Sequence, residues 1–197
     1  MVVSSHRRVV SYLRLPELQL SLRSQTSVQH LLTTIKASVA QQNWYAALSV
    51  TLALPDICGR LEDPAAKIQD RYVSWFDRFV AANYIPEIGP SHERHVFLSG
   101  RDCYALRCAF LHEGRDEISS QRAHEALERF KFAVTPPGTT VHCNKSGSKL
   151  QLQVDIFCLQ FVAGGEAWYQ QIGTRPEVEA RMSSLLRIYD VYGNSVA

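Results

Sequence analysis

From residue 27 onward, apolar positions recur at helical spacing over most of the chain. Val28, Leu31, Leu32, Ile35 and Val39 mark one face of a helix that Ser27 can cap and that runs to about Gln42. Ala47, Val50, Leu54, Cys58 and Leu61 keep the period through NWYAALSVTLALPDICGRLE, with a kink predicted at Pro55. Asp63 and Pro64 have the form of an N-cap and first helical position. After them Ile68, Tyr72, Trp75, Phe76, Phe79 and Val80 predict a third helix ending near Asn83. A polar loop, IPEIGPSHERH, then leads to a helix over Ser99 to Glu113, with Asp102 three residues after the cap and Gly114 just past its end.

The period then changes. RFKFAVT, TTVHC and KLQLQV alternate, with turn signals at PPGTT and NKSGS, and predict a small β-meander at about residues 129–154. VDIFCLQFVAGGEAWYQQI returns to helix, its Gly164–Gly165 pair serving close packing or a break. Pro176 opens a last helix to about Tyr192. The fold class read from this order is mainly α, a helical bundle with an inserted β-meander. The first residues do not fit the pattern. VVSYLRLPELQLSLR alternates weakly and is broken by Pro16, so residues 1–25 read as a poorly ordered extension and 26–197 as one domain.

Charge sharpens that division. Residues 1–24 hold Arg7, Arg8, Arg14 and Arg23 against Glu17, so the remainder of a chain whose net charge is +2 stands at −1. A broad basic face for duplex nucleic acid is therefore not encoded, and any nucleic-acid contact has to be local. Five cysteines, scattered and without a C-x-x-C pair, give neither a disulfide framework nor a zinc site, so no metal and no cofactor is expected. No apolar run approaches the ~18 residues of a membrane span or the ~7–15 of a signal peptide. The expectation is a cytoplasmic protein without a membrane partner.

Within RDCYALRCAFLHEG every residue from Cys103 to Leu111 is apolar except Arg107. On a helix Arg107 shares its face with Cys103, Tyr104 and Leu111, and an unpaired guanidinium there would cost several kcal/mol. A buried ion pair with Asp56, Glu62 or Asp155 would answer that cost, and so would a second subunit or a phosphate meeting this face. Sixteen arginines and seven histidines supply roughly 0.6 Arg-x4-His pairs by chance, so the spacing of Arg107 and His112 takes meaning only from context. His112 ends the helix, where the dipole favours a cation and solvent is near, which suits proton transfer. Five positions turn an α-helix through about 140°, so the pair would converge across a groove or a two-fold axis.

Arg107-Cys-Ala-Phe-Leu-His112, late in an apolar helix, resembles the Rx4–6H motif of the HEPN superfamily. The resemblance covers roughly Ser27 to Gly114 and the helix from Val154, with the β-ribbon as an insertion. Many HEPN proteins are homodimeric, metal-independent ribonucleases found in toxin–antitoxin and phage-defence systems. The resemblance implies that Arg107 positions and neutralises the scissile phosphate of single-stranded RNA while His112 assists attack by the 2′-hydroxyl. Supporting roles would fall to Asp102, Asp56 and Tyr104, and an antitoxin or nucleotidyltransferase would be the partner. The family often has a polar residue directly after the arginine; here it is Cys108. The other class of reading is a non-catalytic module of the same fold that binds a nucleotide, an RNA or a partner protein. His142 and Cys143 read as strand-end residues, since no second ligand pair accompanies them.

Overall fold

The computed structural model describes residues 27–193, and the basic extension lies outside them. Six α-helices among the described residues make the fold mainly α: α1 (Ser27–Ala40), α2 (Trp44–Glu62), α3 (Ile68–Phe79), α4 (Gly100–Cys108), α5 (Val154–Trp168) and α6 (Pro176–Met182). The long helix α2 is central and packs against α1, α3, α5 and α6, while α4 lies on α3. Asn43 caps α2 through its side chain, and the helix continues through Pro55. Aromatic rings fill the space between α3 and α5. Phe161 lies 4.7 Å from Phe157 and 6.2 Å from Trp75, ring centre to ring centre, and all three are fully buried. Burial of each such side chain stabilises by roughly 1.5–3 kcal/mol, so this cluster anchors the bundle.

The glycine pair of α5 serves close packing. A Cβ on Gly165 would stand 2.6 Å from a Leu32 methyl of α1, and one on Gly164 would stand 2.8 Å from Val80 and 3.0 Å from the Phe79 carbonyl. Both distances are inside van der Waals contact, so only hydrogen fits there.

The structure corrects several boundaries. Asp63 Oδ1 accepts from the amides of Ala65 and Ala66, so it caps a separate bend, and α3 begins only at Ile68. The last helix ends at Met182, well before Tyr192, where Ser183 and Ser184 donate their hydroxyls to the carbonyls of Ala180 and Arg181.

The inserted strands do not form a meander. The strands are β3 (Arg129–Ala133), β4 (Asn144–Ser146) and β5 (Lys149–Gln153), following a short hairpin of β1 (Glu87–Ile88) and β2 (Glu93–Arg94). Their order is β3-β5-β4, with β3 parallel to β5 (Arg129 opposite Lys149, Ala133 opposite Gln153) and β4 antiparallel to it. TTVHC is not a strand. Pro136 and Pro137 lack amide donors and Cys143 has a left-handed φ of 55°, so this segment cannot continue a ladder. It is held by side chains instead: the Gln153 amide donates to His142 Nδ1, and Gln153 Oε1 accepts from the Val141 amide. Phe130, Leu150 and Leu152 face the bundle and are fully buried, which fixes the sheet against α5.

Candidate functional site

Helix α4 starts as its sequence dictates. Ser99 Oγ accepts from the Asp102 amide at 3.1 Å and donates to Asp102 Oδ2 at 3.2 Å. Asp102 is almost wholly buried, and its Oδ1 accepts from the amides of Glu125 and Ala126 at 2.6 and 3.2 Å. Its carboxylate thus ties the 125–126 loop to the helix start and is not brought to Arg107.

The C-terminal half departs from an ideal helix. After Cys108 the chain widens into a π-turn over Ala109–Glu113, closed by Gly114 at φ 67°. In a π-turn the hydrogen bonds run from i to i+5, so residues five apart move toward one face. Arg107 Nη1 and His112 Nε2 are 2.9 Å apart within one chain. The expected divergence of about 140° is therefore removed by the local geometry.

A guanidinium has donors only, so Nε2 accepts this hydrogen bond and the neutral imidazole carries its proton on Nδ1. The other arm of Arg107, Nη2, lies 2.7 Å from Asp56 Oδ2 on α2, with the two side chains 19% and 13% exposed. Of the three carboxylates foreseen as partners, Asp56 is the one that meets Arg107. Glu62 instead binds Arg78 at 2.5 Å and the Trp168 indole at 3.2 Å, and Asp155 accepts from Gln153.

The pair is electrostatically uneven. Burial pushes the Asp56 carboxyl above its ordinary value, and the attraction of Arg107 and then Arg71 recovers only part of that cost. Burial also opposes the charge on Arg107, but Asp56 and the Cys108 thiol outweigh it and hold the guanidinium more firmly protonated than usual. Arginine thus stays charged while the carboxylate bears the cost of desolvation. Asp56 Oδ1 and Arg107 Nε are both buried without a hydrogen-bond partner.

Tyr104 stands beside this group. Its hydroxyl is held protonated by burial and by the Cys108 sulfur, and its ring meets Tyr72 edge-on at 5.3 Å. Cys108, in the position where a polar residue was anticipated, lies beside both Tyr104 and Arg107 and interacts electrostatically with each. The other thiols are not set up to react. Burial pushes Cys103 to about 12 and Cys143 and Cys158 to about 11.

Two concavities flank the site. A groove of about 550 Å³ is lined by Trp44, Tyr45, Phe110, Phe130 and Phe132 with Lys131 at its side, and in it Tyr45, 78% exposed, stacks on Phe110 at 6.4 Å. A cleft of about 390 Å³ contains Asp56 together with Arg60, Arg71 and Arg181. Sequence reasoning missed these three arginines, which come from α2, α3 and α6 and share no motif.

Among the described residues, no group of three or more His, Cys, Asp or Glu side chains is placed to share a metal ion, and no helix is long and apolar enough to cross a membrane. His142 accepts at Nδ1 from the Gln153 amide and so donates from Nε2 to Gln160 Oε1 at 3.2 Å, which uses both ring nitrogens in packing. Comparison of the chain with protein-family models, curated proteins and solved structures finds no match.

Proposed function

We propose that the chain is a cytoplasmic, metal-independent endoribonuclease of HEPN type that cleaves single-stranded RNA. The observation that carries this reading is the contact of 2.9 Å between Arg107 Nη1 and His112 Nε2, with Asp56 holding the other arm of the arginine. An always-charged phosphate binder and a neutral imidazole with its proton on Nδ1 are the two groups that transesterification of RNA requires. A scissile phosphate arriving at Arg107 competes with His112 for Nη1. When the arginine turns to the phosphate, the Nε2 lone pair is released.

His112 then takes the proton of the 2′-hydroxyl, O2′ bonds to phosphorus, and the P–O5′ bond breaks as water protonates O5′. The products are a 2′,3′-cyclic phosphate and a 5′-hydroxyl. Arg107 stabilises the charge that builds on the phosphoryl oxygens. Tyr104 and Cys108 lie beside the arginine and favour its charged form. A homodimer through the segment from Ser99 to Glu113 would bring two such sites together, with an antitoxin or nucleotidyltransferase as controlling partner in toxin–antitoxin or phage defence.

The ion pair itself favours a second reading, a non-catalytic module that binds a nucleotide, an RNA or a partner protein, in which Arg107 is simply neutralised by Asp56. A ribonuclease assay in excess EDTA separates the two. Cleavage by the wild-type chain that disappears in both Arg107→Ala and His112→Ala, each shown to melt like wild type, supports the enzyme. No cleavage of any of several RNAs, or undiminished cleavage without His112, supports the module.

A further inference from the structure

We infer that the cleft lined by Arg60, Arg71 and Arg181 binds the phosphodiester backbone of the RNA strand on its way to Arg107 and His112. The inference rests on the ribonuclease reading and extends it to how the strand is held. Asp56 is common to both places: it lines the cleft and pairs with Arg107, so the cleft lies next to the proposed scissile site.

The three guanidiniums reach one space from separate elements, and none forms an ion pair among the described residues. Each is attached to main-chain carbonyls instead. Arg60 Nη1 donates to the Pro64 carbonyl, and Arg71 Nη1 to that of Ala66 at 3.3 Å. Arg181 donates from Nε to the Leu61 carbonyl at 2.5 Å and from Nη2 to that of Glu62 at 3.2 Å. These bonds orient the side chains without neutralising them; among the described residues Asp56 is the one carboxylate lining the cleft, and it pairs with Arg107 and also attracts Arg71, so a single negative charge serves four guanidiniums.

Gly59 makes the arrangement possible. A Cβ at that position would stand 3.1 Å from the Arg71 carbonyl and 3.2 Å from its Cβ and Cγ, so a bare glycine lets α3 bring Arg71 close against α2. Each guanidinium has five donors and the carbonyls take one or two, so donors remain for phosphate oxygens. Binding helix-end carbonyls is a sufficient role for Arg181 alone. It does not account for three like charges brought together around one carboxylate that Arg107 already pairs, an excess of positive charge that a further anion would relieve.

The test measures the affinity of the full-length chain for a fluorescein-labelled single-stranded RNA carrying 2′-O-methyl groups, which binds but cannot be cut, across a salt series. Arg60→Glu, at an exposed position, and the double variant Arg60→Gln/Arg181→Gln should each weaken binding about tenfold. Each should also lower the slope of log affinity against log salt by about one per lost phosphate contact. The double variant Arg60→Lys/Arg181→Lys, which keeps the charge, should retain most of the slope; a purely structural role would leave the slope unmoved in every variant. If Arg181 variants fail to fold, Arg60→Glu decides alone. Wild-type cleavage with unchanged affinity and slope in Arg60→Glu overturns the inference and leaves the ribonuclease reading intact. Loss of binding in Arg60→Glu with no cleavage by wild type upholds the cleft and overturns the ribonuclease. Failure of the wild-type chain to bind the RNA overturns both.

Discussion

Arg107 and His112, five positions apart, touch because the helix that carries them widens into a π-turn immediately after Cys108. The arginine spans two partners with its two arms, and that span depends on a planar fork. Lysine at 107 keeps the charge but can reach only one partner at a time. Arg107→Lys should therefore retain RNA affinity and lose cleavage by on the order of a hundredfold. Parallel binding and single-turnover assays check this, and a Lys variant that cuts at the wild-type rate would show that charge alone suffices.

The Asp56 carboxyl has a folded pKa above its ordinary value of 3.8. The native state therefore favours its protonated form, so the stability linked to this group is complete below 3.8 and is lost as pH rises through the higher folded value. A neutral isostere escapes that loss. Asp56→Asn should accordingly stay within about 1 kcal/mol of wild type at pH 7, whereas Asp56→Ala, which removes the acceptor as well, should cost about 1–3 kcal/mol. Both should cut poorly, because Arg107 is no longer held in place. Denaturant titration at pH 7 and pH 5 reads the stabilities, and a loss above about 2 kcal/mol for the Asn variant would assign the ion pair to stability.

The chain should be a homodimer. Cys103, Ala105, Leu106 and Ala109 are buried within their own chain, which accounts for much of the apolar character of the segment from Ser99 to Glu113. Tyr104, Cys108, Phe110 and Leu111 remain half-buried and available to a second copy. Light scattering should give about twice 22.2 kDa. Leu111→Arg should halve that mass and abolish cleavage, and a wild-type monomer at tens of micromolar would refute the shared interface.

Acid should destabilise the junction between sheet and helix through His142. Burial holds this imidazole below its ordinary value of 6.5, so the unfolded chain takes up a proton that the native state refuses. Its contribution to stability is present above 6.5 and is lost as pH falls from there through the lower folded value. Melting temperatures from pH 7.5 to 5 should fall less steeply in His142→Gln than in wild type. Parallel curves for the two would remove His142 from the acid response.

The helices were legible in the sequence because their signals are local: an apolar stripe for α3, a serine cap and a closing glycine for the segment that carries Arg107. The order of the sheet was not, since pairing β3 with β5 past an intervening strand is a long-range choice that alternation alone does not record. The site was half legible. A guanidinium among apolar residues demanded a partner, and Asp56 was one of three carboxylates that could supply it. Its selection depends on tertiary packing that brings Asp56 of α2 to Arg107 of α4. The π-turn left no mark in the spacing, and Arg60, Arg71 and Arg181 are brought together only by tertiary packing.

The parallel pairing of β3 with β5 also sets an order of assembly. β4 and β5 are joined by a two-residue turn in which Gly147 has a φ of 58°, so they can zip as a hairpin within microseconds. Strand β3 has no such shortcut, because Arg129 meets Lys149 only after the chain between them has closed on itself. The hairpin therefore forms the template and β3 is the late arrival, docking with Phe130 onto a surface that β5 and α5 have already made. In folding kinetics, substitutions at Leu150 should slow refolding, whereas those at Phe130 should chiefly hasten unfolding. The strand nearest the aromatic groove would then be the first part of the sheet to let go.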